Sequence, residues 1–221
     1  MKSLVIAGSP RTGGNLLAVL LAAAYVGAPD EYHAPHVRAA HGIVHDDPEP
    51  FWYVHPAGVY AVKLHPNEIV RYPWGPASLA AAHHPGSAPG DRLVVFQTRR
   101  DKVAQAVSWY LADRTGVWRT GDPQHEPVPP YDAAAIRRFV AQARAWERWW
   151  RRRFLAEGVA PHEVEYSAFL SDPQAAVAEI ARRLDVEPGP LPLLVPPSSE
   201  PSPFQAEARA MIDRYQTETA R

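Results

Sequence analysis

The chain contains no cysteine. Disulfides, thiolate nucleophiles and Cys-ligated zinc are therefore excluded. It also lacks any apolar run long enough to cross a bilayer as a helix, so no membrane span is expected. Net charge is almost absent, at -1, which removes a global attraction to nucleic acid and leaves any anion to a local site. No internal repeat is present. The first residues carry one lysine and a short apolar run that passes directly into a glycine-rich turn, the pattern of a first strand and not of a secretory signal. A cytoplasmic location is the expectation. Hydrophobic residues make up 46% and charged residues 21% of 221 positions, ordinary for a globular protein, and the length favours one domain over residues 1–221 with a sizeable core. The 24 prolines suggest coding bias as much as a physical need, while ten histidines remain as candidate ligands or bases.

Hydrophobic patterning predicts alternating strands and helices. Residues 3–8, SLVIAG, form a short continuous apolar run stopped by a turn, as in a buried parallel strand, and residues 12–25 read as the following helix. VYAVKLH (59–65) and RLVVFQT (92–98) read as further strands. The latter leads into a helix on which Val103, Ala106, Val107, Tyr110 and Leu111 recur at helical spacing. From Tyr131 to Phe154, the spacing of Phe139, Ala143, Trp146, Trp150 and Phe154 gives a long amphipathic helix. A short strand, a turn and a helix starting near Asp172 and Pro173 follow. This order predicts an α/β class, a P-loop-like three-layer fold with a central parallel sheet flanked by helices. Residues 27–58 and 112–130 break the pattern and read as substrate loops. The stretch 188–203 reads as a Pro-rich linker before a C-terminal helix.

The turn after the first strand carries the first chemical signal. A glycine-rich strand-to-helix turn leaves backbone N–H groups unpaired at a helix N-terminus, where the helix dipole also favours negative charge. Gly8 to Gly13 has the outer spacing of a Walker A loop, but Gly14 and Asn15 stand where its lysine and its magnesium-binding Ser/Thr belong, so an ordinary Mg-ATP loop is disfavoured. Arg11 sits inside the loop instead, able to donate a fork of hydrogen bonds to an oxyanion. Close packing of strand and helix is the plainer account of the glycines. The second strand-turn-helix unit adds Arg100 and Ser108, about two turns apart on one helix. In a doubly wound sheet both units open on the same edge, where a nucleotide phosphorylated at two positions could be gripped.

SPRTGGNLL (9–17), GAPDEY (27–32), RRDKVAQAVSWYLADRTGVW (99–118) and VEYSAFLSDP (164–173) together resemble the bacterial Stf0 family, the trehalose 2-sulfotransferase-like enzymes that use PAPS, 3'-phosphoadenosine 5'-phosphosulfate. The resemblance spans residues 4 to about 185, and its most specific segment is 99–118. It implies that Arg11, Thr12, Gly13, Gly14, Asn15 and Leu16 surround the 5'-phosphate and the transferring sulfonate, and that Arg100 and Ser108 hold the 3'-phosphate. It implies a general base at Glu31. The family loop commonly has Ser and Thr where this chain has Gly14 and Asn15, and the Arg-containing segment expected near the C-terminus is here SSEPSPFQAEARA.

The implied function is transfer of a sulfonate from PAPS to a hydroxyl of a small-molecule acceptor, leaving PAP. Such chemistry rests on positioning and charge stabilisation, with Arg11 on the leaving group and one base beside the acceptor. By itself Glu31 reads as a solvated loop carboxylate, Ser108 as a helix residue bonded one turn back, and Arg99 and Arg100 as cations that satisfy the sheet edge. An imidazole could replace or assist Glu31. His33 and His36 are nearest in sequence, and His65 ends a strand, so these are candidate acceptor-binding residues together with Trp118. Trp118 and Arg119 could equally form a homodimer contact. Lys63 also faces the predicted edge, although a lysine finishing a strand is ordinarily solvated. His83 and His84 read as a surface helix end, and no metal is expected. RAWERWWRRRF (144–154) reads as core packing with a charged outer face, not nucleic-acid binding. The rival readings are a P-loop small-molecule kinase and a non-catalytic PAP-binding protein.

Overall fold

The computed structural model describes residues 1–32, 53–71, 76–119, 122–190 and 204–220. His33, His36, most of the 27–58 connection and most of the Pro-rich stretch lie outside them.

Five strands form one sheet: β1 (Lys2–Gly8), β2 (Val54–His55), β3 (Val59–Leu64), β4 (Arg92–Thr98) and β5 (His162–Glu165). Their order is β2-β3-β1-β4-β5. The neighbours β3-β1, β1-β4 and β4-β5 are parallel, with Gly8 opposite Gln97. The short edge strand β2 is antiparallel to β3 and departs from the all-parallel expectation. β1 and β3 are buried along nearly their whole length, which is why they read as continuous apolar runs. Chain order reverses between β1 and β4, so the carboxyl ends of these two strands, Gly8 and Thr98, flank a topological switch point.

Eight α-helices are described: α1 (Gly14–Ala23), α2 (Pro66–Arg71), α3 (Leu79–Ala82), α4 (Lys102–Thr115), α5 (Ala133–Ala156), α6 (Tyr166–Ser171), α7 (Pro173–Leu184) and α8 (Gln205–Thr219). The turn chemistry accounts for several boundaries. Asp101 caps α4 by accepting from Ala104 N–H, Asp172 caps α7 with Pro173 at its first position, and Gly116 ends α4 in the left-handed region. Ser78 caps α3 in the same way, accepting from Ala81 N–H.

The chain divides into two compact units, Met1–Thr98 with Glu147–Pro192, and Arg99–Trp146 with Leu193–Arg221. The first holds the sheet, and its core joins Val5, Val62, Leu64 and Phe96 to Trp150 and Phe154. The core of the second joins Val107, Tyr110 and Leu111 of α4 to Ile136, Val140, Met211 and Tyr215. Helix α5 serves both through different residues, and its tryptophans pack inward: Trp150 is fully buried and Trp146 lies 5.0 Å from the ring of Trp109.

The expectation of a surface helix end at His83 is corrected. His83 is buried, its Nδ1 lies 2.9 Å from Ser3 Oγ, and burial with Arg92 nearby lowers the imidazole to about 4. It is a neutral core histidine at the amino end of the sheet.

Candidate functional site

β1 ends at Gly8, and the chain then turns tightly. Arg11 has φ 66 and Gly13 has φ 90, both left-handed, an arrangement found in anion-binding backbone nests. The buried Thr12 hydroxyl donates to Ser9 O at 2.9 Å and holds the turn curled. Gly13 is the N-cap of α1 and provides no side chain to cap the first amides of the helix. Gly14 is needed for room: a β-carbon there would lie 3.1 Å from both Gln97 Oε1 and Lys63 Cδ. Leu16 follows on the first turn of the helix, half-buried.

Glu31 reaches the same place from the other side. Residues 28–32 run beside β3, with Lys63 N–H donating to Asp30 O at 2.9 Å and the Tyr32 hydroxyl donating to Ala28 O at 2.6 Å. This places Glu31 Oε1 2.7 Å from Lys63 Nζ and 3.2 Å from His65 Nε2. The Lys63 ammonium also donates to Asn15 Oδ1. One buried cation thus joins the loop at α1 to the carboxylate named as base. The expectation of a solvated Lys63 is corrected, since only 3% of it is exposed. Two such charges are tolerated in the interior because they face each other.

His65 Nδ1 stands 3.0 Å from Gly8 O, a carbonyl that also accepts from Trp150 Nε1 at 2.9 Å. The backbone N–H of His65 donates to Glu68 Oε2 at 2.7 Å, closing the first turn of α2. Burial alone would raise the Glu31 carboxyl, but the hydrogen bond and charge of His65, with Lys63, hold it well below the usual carboxylate range. Burial works against a charged His65, yet Glu31 raises it. Glu68, buried and close to Glu31, is pushed up to about 7.

Two of these residues were not found from sequence. Gln97 is buried on β4 against Gly14, and its Nε2 has no hydrogen-bond partner among the described residues. Its signal was a polar residue inside RLVVFQT at the carboxyl end of a strand. Glu68 had the weaker signal of a carboxylate three residues after a helix start.

The other candidates belong to the second unit. Arg100 is exposed just before the Asp101 cap of α4, and Ser108 is half-buried two turns on. Trp118 is 40% exposed, and its backbone N–H donates to Asp122 Oδ2 at 2.9 Å. Among the described residues, no cluster of three or more His, Asp or Glu could hold a metal ion, and no helix is long and apolar enough to cross a membrane.

A family model described as Stf0 sulphotransferase matches residues 75–218, more than half of the chain. The chain is 32% identical over 178 residues to a trehalose 2-sulfotransferase of Mycobacterium tuberculosis, covering 75% of this chain and 64% of the relative. It is 31% identical over 136 residues to a trehalose 2-sulfotransferase of Mycolicibacterium smegmatis, covering 59% of this chain and 48% of the relative. The chain therefore spans between about half and two thirds of the length of these curated relatives.

Proposed function

The chain belongs to the Stf0 sulphotransferase family, and we propose that it transfers a sulfonate from PAPS to a hydroxyl of a small-molecule acceptor. The observation that carries this reading is the Lys63 ammonium, which ties Glu31 to Asn15 of the loop at α1. A donor loop and a base are useful together only if the reacting atoms lie between them.

In the proposed reaction the sulfur–oxygen bond to the 5'-phosphate breaks as a sulfur–oxygen bond to the acceptor forms. The acceptor proton passes to Glu31, and the products are a sulfate ester and PAP. Arg11, the amides of residues 12–16 and the Lys63 ammonium supply positive potential to the departing phosphate. The Gln97 amide, whose Nε2 has no partner among the described residues, supplies a further donor to a bound oxyanion. Arg100 and Ser108 are assigned the 3'-phosphate on the family resemblance, and Trp118 an acceptor contact.

The depressed basicity of Glu31 suits this chemistry. The acceptor hydroxyl becomes strongly acidic only as its bond to sulfur forms, so a carboxylate that is ionised throughout the physiological range can take the proton late in the step.

Calorimetric titration of the chain in EDTA with PAP, 5'-AMP and ADP tests the reading. Metal-free binding of PAP that depends on the 3'-phosphate is expected, followed by sulfation in a screen of sugars, nucleosides and specialised metabolites with PAPS. Absent PAP binding, with ADP binding restored by magnesium, would replace it with a kinase.

A further inference from the structure

The contacts of His65 constrain where its protons can be. Nδ1 faces Gly8 O at 3.0 Å, and a carbonyl oxygen only accepts, so Nδ1 carries a hydrogen. Nε2 faces Glu31 Oε1 at 3.2 Å. A second proton must lie in that contact, either on the imidazole or on the carboxyl. The same oxygen receives Lys63 Nζ at 2.7 Å. An oxygen that takes an ammonium is an anionic acceptor, and a protonated carboxyl oxygen would be a poor one, so the hydrogen belongs to the imidazole.

We propose that His65 works as an imidazolium clamp, whose two N–H groups tie Glu31 to the carbonyl that opens the loop at α1, and is neither the proton acceptor nor a ligand of the acceptor molecule. Both ring nitrogens are engaged inside the protein, so none remains to take a proton from an incoming hydroxyl. His65 is a positioning residue, and its effect on turnover rests on the sulfotransfer reading above; its protonation state does not.

The charged groups around the ring are consistent with this state. Glu31 approaches from the 28–32 segment, Glu68 from α2 and Lys63 from β3. The Gly8 carbonyl comes from β1, and Trp150 of α5 donates to that carbonyl as well. The Glu31 carboxylate, in direct contact with Nε2, favours the cationic ring, and Glu68 adds to it as it ionises. The clamp also gives the loop and the base a common mount, because a shift of Gly8 moves the ring that holds Glu31.

Long-range proton–nitrogen NMR correlation on the full chain labelled with nitrogen-15 histidine tests this directly, with His65→Gln identifying the signal. At about pH 7, where a free imidazole is mostly neutral, both His65 ring nitrogens are expected to carry protons. Glu31→Gln is expected to return the ring to the neutral form with its proton kept on Nδ1. A neutral His65 in the wild-type protein overturns the clamp, and where His65→Gln fails to fold, through-bond assignment from the His65 backbone identifies the same signal. Turnover is expected to fall about tenfold in His65→Gln, less than the hundredfold or more of a lost base. Equal losses in His65→Gln and Glu31→Gln, with the ring neutral, would make His65 the base. Absent PAP binding beside an intact imidazolium signal would sink the sulfotransfer reading and leave the clamp standing.

Discussion

Gly13 lies so close to Tyr166 that a β-carbon on residue 13 would stand 2.9 Å from Cδ2 of the tyrosine ring. The ring at the start of α6 closes the space behind the turn, and the backbone of Gly13 is left-handed at φ 90. Gly13→Ala meets both obstacles. It should lower stability by about 1–3 kcal/mol in urea unfolding, the usual scale of enforced backbone strain, and should weaken PAP binding in calorimetry. Replacing Tyr166 by Ala in the same chain should recover the steric part only.

Glu31→Gln should lower turnover on the order of a hundredfold or more while leaving PAP affinity nearly unchanged. Full activity in this variant would remove Glu31 from the chemistry. The amide leaves Lys63 and His65 facing each other without an anion between them, so a lower melting temperature should accompany the kinetic loss.

Glu68 makes a separate prediction about pH. Its folded carboxyl is raised from 4.5 to about 7, so the native state holds a proton that the unfolded chain releases between these values. Stability contributed by the protonated group is present at low pH and is lost as pH rises through this window. His65, also raised, acts in the same direction, whereas the lowered Glu31 loses its contribution only in strong acid. Glu68→Gln, which can still accept from the His65 N–H, should flatten the decline between pH 5 and 8 by about 3 kcal/mol, as read from urea midpoints. An unchanged decline would mean that Glu68 is ionised in the fold throughout.

Gln97→Met tests the orphaned amide. Removing a buried donor that has no partner should leave the empty protein as stable or up to about 1 kcal/mol more stable, and should weaken PAP by a similar amount. Loss of stability with unchanged affinity would make Gln97 a packing residue.

Arg100→Ala should weaken PAP by about 1.5–3 kcal/mol and hardly change affinity for 5'-AMP. Equal losses for the two ligands would remove the 3'-phosphate assignment.

Strands β1, β3 and β4 were legible because each is a short apolar run ended by turn chemistry, and α5 because its aromatics recur at helical spacing. α2, α3 and α6 are too short to show a period, and β2 pairs through only two residues in a segment rich in Pro, His and Gly. The loop at α1 and Glu31 were singled out from motifs. The setting of Glu31 was not legible, because its partners Lys63 and His65 reach it through the parallel crossover from β1 to β3 and not through any local spacing. A lysine inside the fully buried run VYAVKL was the available hint, and its usual meaning as a solvated strand end concealed it. His83 misled for the opposite reason: the His-His-Pro-Gly run it opens reads as an exposed turn, and the Ser3 hydroxyl that meets its ring is 80 residues away.

The carbonyl of Gly8 takes one donor from 57 residues downstream and another from 142 residues downstream. Chains are made from the N-terminus, and contacts of such separation form late. During synthesis the turn after β1 therefore emerges well before the residues that complete it. A nascent chain that stops short of Trp150 has the loop residues but lacks the indole N–H that fixes their first peptide.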